Sequence, residues 1–166
     1  VKEELSFMDQ AVKKQVLRSF TYGLYLITVK DGEEANCFTA NWVSQASFEP
    51  PMVVFSMEND SRSIGMIRRS GAFVVHVIPE GYRDFAGRMG RSSKQNPNKI
   101  SEVEWEPGEV TGSPILKELA GWVECRLVGT LPAGDHTLML GEVVNAGIGR
   151  DLRPLTLSEA GFKYSG

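Results

Sequence analysis

Residues 24–57 read LYLITVKDGEEANCFTANWVSQASFEPPMVVFSM, and the fold class follows from how this stretch divides. Leu24 to Lys30 is rich in strand formers and stops at Asp31-Gly32, a turn dipeptide. Asn36 to Ser47 then runs extended as far as Glu49-Pro50-Pro51, so the two runs predict a hairpin, and Met52 to Met57 supplies a further strand. Downstream, Asp60 to Ser70 reads as a short helix closed by Gly71, and Ala72 to Ile78 as a strand stopped by Pro79. Arg83 to Met89 reads as a helical turn, Gly90 to Asn98 as a polar loop, and Ser113-Pro114 as the cap and first residue of a helix ending at Leu119. Trp122 to Leu131 alternates polar and apolar residues, Pro132 to Asp135 is a turn, Thr137 to Ala146 is a strand, and Leu155 to Tyr164 is a final extended segment. Upstream, Ser6-Phe7-Met8-Asp9 has the form of a capping box, and Met8, Val12, Val16 and Phe20 recur every four residues along one helix face.

Five to seven strands joined by short turns, with three brief helices, predict a mainly β protein built as a closed or split antiparallel barrel. A doubly wound sheet is excluded by the short connections. Neither GxGxxG after a strand nor GxxxxGK[ST] occurs, so a nucleotide would be held in some other way. The 166 residues suit a single domain over positions 1–166. With 18 basic and 21 acidic side chains the net charge is −3, which offers no general attraction to a nucleic-acid backbone. Cys37 and Cys125 lie far apart with no CxxC pair and read as buried thiols of a reducing, cytoplasmic protein. No apolar run approaches the ~18 residues of a membrane span, and no signal-peptide core is present at the N-terminus.

Three segments carry chemistry. Asn36 to Ser47 is studded with Thr39, Asn41, Ser44, Gln45 and Ser47, which makes it either a solvent-facing edge or a wall presenting hydrogen-bond groups to a flat polar heterocycle. Ser61-Arg62-Ser63 stands where a strand hands over to a helix, and there backbone N–H groups, hydroxyls and a guanidinium suit a phosphate as well as a simple cap. Between Arg83 and Lys99 five cations stand against Asp84 alone, a local +4 that is either a solvated loop or a patch for phosphates or an acidic partner surface. His76, inside AFVVHVI, reads as a structural residue; His136, after Gly134-Asp135, reads as a turn residue at a strand rim. No Ser/His/Asp order, HExxH or carboxylate pair supports hydrolytic or metal chemistry.

The order of TYGLYLIT, TANWVSQASFEPP, GSPILKELAGWVECRL, AGDHTLMLGEV and RPLTL resembles the flavin reductase-like, FMN-binding split-barrel family over about Phe20 to Tyr164. That resemblance implies an antiparallel Greek-key split β-barrel, a homodimer, and FMN, with FAD as the alternative, held noncovalently near the subunit interface. It places the isoalloxazine and ribityl chain along the strand comprising Thr39, Ala40, Asn41, Trp42, Ser44, Gln45, Ala46 and Ser47. It places the phosphate near Ser61, Arg62 and Ser63, and the nicotinamide of NADH or NADPH near His136. An Asn is often found in the family where this chain has His76. The implied activity is NAD(P)H-dependent flavin reduction, with electrons passed to free flavin, a monooxygenase or another redox protein. An FMN electron carrier that never binds nicotinamide and a non-catalytic flavin-binding module are the alternatives.

Overall fold

The computed structural model describes residues 7–166, so Ser6 of the expected capping box lies outside the described residues. Asp9 caps the first helix, α1 (Gln10–Arg18), by accepting from the Ala11 and Val12 amides. Met8 and Phe20 flank that helix, and the apolar stripe they form with Val12 and Val16 is not buried by the chain. Seven strands form one antiparallel sheet: β1 (Tyr25–Asp31), β2 (Glu34–Ala40), β3 (Val43–Ser47), β4 (Met52–Glu58), β5 (Ala72–Val77), β8 (Gly121–Ala133) and β9 (His136–Ile148). Two short strands, β6 (Glu106–Pro107) and β7 (Pro114–Ile115), pair by themselves. The remaining helices are α2 (Arg62–Ser70), α3 (Arg83–Met89) and α4 (Leu157–Ala160).

The sheet order is β2-β1-β5-β8-β9-β4-β3, so β2 and β3 are consecutive in the chain yet occupy opposite edges. Laid flat, seven strands at about 4.8 Å spacing would hold those edges roughly 29 Å apart. Asn41 and Trp42 are the whole connection, and three Cα steps reach at most about 11 Å. The sheet is therefore curled almost to closure, and the gap between its edges is spanned at this crossover, where the Ser56 amide donates to the Trp42 carbonyl. The single extended run expected over Asn36 to Ser47 is thus two strands broken at Asn41-Trp42, because one half pairs with β1 and the other with β4.

Both faces of β1 are buried. Leu24 and Leu26 point into a cluster with Cys37, Ile78, Phe85, Met89 and Leu116, while Ile27 and Val29 point into a second with Phe55, Met66, Phe73 and Met139. Burial pushes the Cys37 and Cys125 thiols up to about 12, so both stay protonated. Gly141 makes room for the Phe73 ring, whose Cζ would lie 2.4 Å from an added Cβ.

Three local expectations are corrected. Pro114 does not start a helix: its carbonyl accepts from the Thr28 hydroxyl, the Leu116 amide donates to His76 Nε2, and the segment is held extended as β7. The last segment is not extended throughout, since Thr156 caps α4 by accepting from the Glu159 amide and Gly161 ends it with φ +75°. The turn after β8 is shorter than Pro132 to Asp135. Ala133 pairs with His136 across a two-residue loop, with Gly134 at φ +67°.

His76 is wholly buried, and its tautomer is fixed by its neighbours: Nε2 accepts from the Leu116 amide, so Nδ1–H donates to the Leu26 carbonyl. Burial lowers its pKa from 6.5 to about 4. Between those values the unfolded chain binds a proton that the folded chain refuses, so this contribution to stability is complete above pH 6.5 and is lost as pH falls toward 4. Denaturation across that range is expected to show His76→Gln losing ~3 kcal/mol less than wild type. Parallel pH profiles for the two proteins would contradict this assignment.

Candidate functional site

The curled sheet leaves a cleft of about 820 Å³ beside the β2 to β3 crossover. The end of β2 and the crossover line it with Thr39, Ala40, Asn41 and Trp42, and the start of α2 with Ser61, Arg62 and Ser63. Ala86, Gly87, the 90–95 loop, and Phe162 and Tyr164 from the C-terminal segment complete the lining. Of the residues singled out in the sequence, these seven meet at the cleft. Ser44, Gln45, Ala46 and Ser47 do not: Ser44, Gln45 and Ala46 are exposed in this chain, and Ser44 and Gln45 border a separate recess of about 240 Å³ beside Val53 and Trp122. His136 also stands outside the cleft lining.

Hydrogen bonds within the chain define what the walls still offer. Thr39 Oγ1 donates to the Ala86 carbonyl at 2.7 Å, and Asn41 Nδ2 donates to the Tyr164 carbonyl at 3.1 Å. Toward a ligand, Thr39 therefore presents lone pairs, and Asn41 its carbonyl oxygen and a second amide proton. Ser61 caps α2 by accepting from the Ser63 amide. Arg62 is paired with Glu34 at 3.0 Å and donates to the Pro97 carbonyl, so it braces the 90–98 loop while lining the cleft. Asn36 is 1% exposed and donates to both Ser63 Oγ (2.9 Å) and Ser93 Oγ (3.1 Å), joining α2 to that loop. Each serine then keeps its own hydroxyl proton for another acceptor.

Four cations, Arg62, Arg91, Lys94 and Lys99, face the cleft against Glu58 and Asp60. Lys99 is almost fully buried, which lowers its pKa; its ammonium donates to the Met89 and Arg91 carbonyls and retains a third N–H. Two buried polar atoms have no partner among the described residues, Asn36 Oδ1 and Trp42 Nε1, and both residues line the cleft. Unpaired buried polar atoms are costly, so their convergence on one cavity marks a place where a ligand completes the hydrogen bonding.

A model of the flavin reductase like domain matches residues 17–166. The chain belongs to that family. It is 31% identical over 136 residues to the reductase subunit HsaB of a flavin-dependent monooxygenase from Mycobacterium tuberculosis, covering 82% of this chain and 71% of that protein. It is 32% identical over 130 residues to an NADH:FMN oxidoreductase from Rhodococcus erythropolis, covering 78% of this chain and 66% of that one. Among solved structures, a flavin reductase domain protein from Arthrobacter sp. FB24 superposes with a TM-score of 0.79 at 28% identity, over 89% of this chain and 90% of that one.

A flavin mononucleotide fits this flavin reductase cleft on the chain's own terms. Its phosphate suits the start of α2, the two serine hydroxyls and the Lys99 ammonium, and its heterocycle has acceptors for Trp42 Nε1–H and one ring N–H that either the Thr39 or the Asn41 oxygen can accept. Sequence reasoning did not single out Asn36, Ser93, Glu58, Phe162 or Tyr164 as site residues. For Asn36 a signal existed: strand alternation puts it on the face shared by Phe38 and Ala40, an unusual place for an amide. Phe162 and Tyr164 reach the cleft only through α4, and nothing local announces that.

Asn36→Ala is expected to cost about 1–3 kcal/mol and to speed amide exchange in residues 91–95. Wild-type stability together with unchanged exchange would show that Asn36 does not hold α2 to the loop.

Proposed function

We propose that the protein is an NAD(P)H:flavin oxidoreductase that holds FMN in the cleft between the β2 end and the start of α2. The observation that carries this reading is the convergence of a cationic rim, an exposed helix start and two orphaned buried polar atoms on one cavity of dinucleotide-reactant size. The names of the relatives above, which are reductases of FMN or of a flavin-dependent monooxygenase, support it. When bound, the flavin supplies the hydride acceptor and the redox chemistry. The chain's residues bind and orient: Ser61, Arg62, Ser63 and Lys99 with the α2 start take the phosphate, Thr39, Asn41 and Trp42 take the ring edge, and the 90–95 loop screens one side. Arg91 and Lys94, exposed on that loop, attract the pyrophosphate of the hydride donor. His136 serves that donor through a ring N–H. Electrons then leave to free flavin, a partner monooxygenase or another redox protein.

We propose further that the chain is a split-barrel homodimer in the cytoplasm. The exposed apolar stripe of Met8, Val12, Val16 and Phe20 and the isolated Phe48 and Ile148 support a partner surface, and the solvent-facing Ser44 to Ser47 edge is available to a ligand shared across it. Among the described residues no helix is long and apolar enough to cross a membrane. Sedimentation at micromolar concentration is expected to give a dimer; a monomer with bound FMN would overturn that assignment.

The activity is tested by adding NADH or NADPH anaerobically to FMN-loaded protein. Loss of the yellow colour is expected, and a yellow protein that only dithionite bleaches is an electron carrier instead. Arg62→Ala is expected to weaken FMN by about 1–2 kcal/mol more than riboflavin, because the phosphate uses the guanidinium end of the cleft whereas the loop that Arg62 braces screens both ligands. Equal loss for both ligands in fluorescence titrations would place the phosphate elsewhere.

A further inference from the structure

His136 is shut off from the cleft by a side chain. The residue is 8% exposed, with the Trp42 indole 4.7 Å from its ring centroid to centroid, Asp135 Oδ1 2.6 Å from Nδ1, and the Tyr164 oxygen 2.9 Å from Nε2. Trp42 and Tyr164 both line the cleft, so Tyr164 is what stands between the Nε2 edge and the cavity.

The hydrogen bonds of Tyr164 have a definite direction. A phenol has one proton, and here it donates to Glu58 Oε1 at 2.6 Å. Burial and that carboxylate raise the phenol's pKa, so it keeps the proton. Toward His136 it then accepts from Nε2–H, while the Asp135 carboxylate accepts from Nδ1–H, so in this arrangement both ring nitrogens carry a proton. The hydroxyl thus accepts from His136 and donates to Glu58, while its ring lies 5.1 Å from Trp42, tilted by 49°. Glu58 and His136 are themselves cross-strand partners of β4 and β9, which fixes the spacing of this donor and acceptor pair.

A primary aromatic carboxamide has the same complement: a flat ring, a carbonyl oxygen that accepts and an amino group that donates. We propose that Tyr164 is an internal stand-in for the carboxamide-bearing ring of the hydride donor, occupying the pocket formed by Trp42, His136 and Glu58 until that ring displaces it. The inference rests on the reading of the cleft as a flavin and nicotinamide site. Displacement needs only side-chain rotation, because the Tyr164 carbonyl is held separately by Asn41 and the residue is 41% exposed in an irregular segment. Tyr164 is in this sense a specificity residue: any ligand that replaces it must satisfy a donor and a carboxylate acceptor together.

The probe is free nicotinamide, with nicotinic acid as its control, titrated against the protein with and without FMN and followed by tryptophan emission. Tyr164→Ala is expected to bind nicotinamide about tenfold more tightly than wild type, as expected from losing an internal competitor held by two hydrogen bonds. Tyr164→Phe is expected to show a smaller gain, since its ring still covers Trp42. Nicotinic acid is expected to gain nothing, because its carboxylate has no proton for Glu58. The tightening is expected to vanish in a His136→Ala background. Unchanged or weaker nicotinamide binding in both Tyr164 variants would overturn the proposal, as would equal gain for nicotinic acid. If NAD(P)H fails to reduce wild-type FMN while nicotinamide still binds the variants more tightly, the reductase reading fails and the stand-in remains.

Discussion

Two residues hold the architecture to its shape. Asn41 and Trp42 join strands at opposite edges of a seven-stranded sheet, and so short a link forces the sheet to curl until those edges nearly meet. The same crossover supplies a wall of the cleft, so closing the barrel and building the site are one constraint. The tip of the β8 to β9 hairpin is drawn to it as well: the Asn59 amide donates to the Asp135 carbonyl, and Thr137 donates to Asn59 Oδ1, which sets His136 opposite Glu58.

Around that crossover the chain leaves polar groups unsatisfied in an ordered way. Asn36 spends its two protons on serines from different elements, and Lys99 spends two of its three on carbonyls of the α3 end. What is left over belongs to residues that line the cavity: serine protons, an ammonium proton, an indole N–H and an amide oxygen. A cluster of this kind destabilises an empty protein slightly and becomes favourable when an anionic, flat, polar ligand supplies the missing partners. The cationic loop between Arg88 and Lys99 is held against α2 by Arg62 and Asn36, so charge that looks diffuse in the sequence is brought to one side of the cleft.

The hairpins, the cap and C-terminal glycine of α2, and the two buried cysteines were legible from local pattern alone, since turn dipeptides, capping residues and apolar alternation act over a few positions. The break at Asn41-Trp42 was not, because both halves of the run favour extended backbone and only the pairing partners separate them. Pro114 misled for a similar reason: Ser-Pro suits a helix start, but His76 and Thr28, 38 and 86 positions away in sequence, claim its neighbourhood for a strand. Of the residues lining the cleft, Thr39, Asn41 and Ser61 to Ser63 stood out by residue type, whereas Ala40 and Trp42 were named only through the family resemblance. The enclosure of His136 was not, since the residue that encloses it, Tyr164, is 28 positions away along the chain.

We infer that flavin binds in the cleft at the crossover. Amide hydrogen exchange with and without saturating FMN tests it most directly. Protection is expected to be confined to residues 39–42, 61–64 and 86–95. Protection centred on Ser44, Gln45 and Trp122 around the second recess, or none at the start of α2, would contradict it.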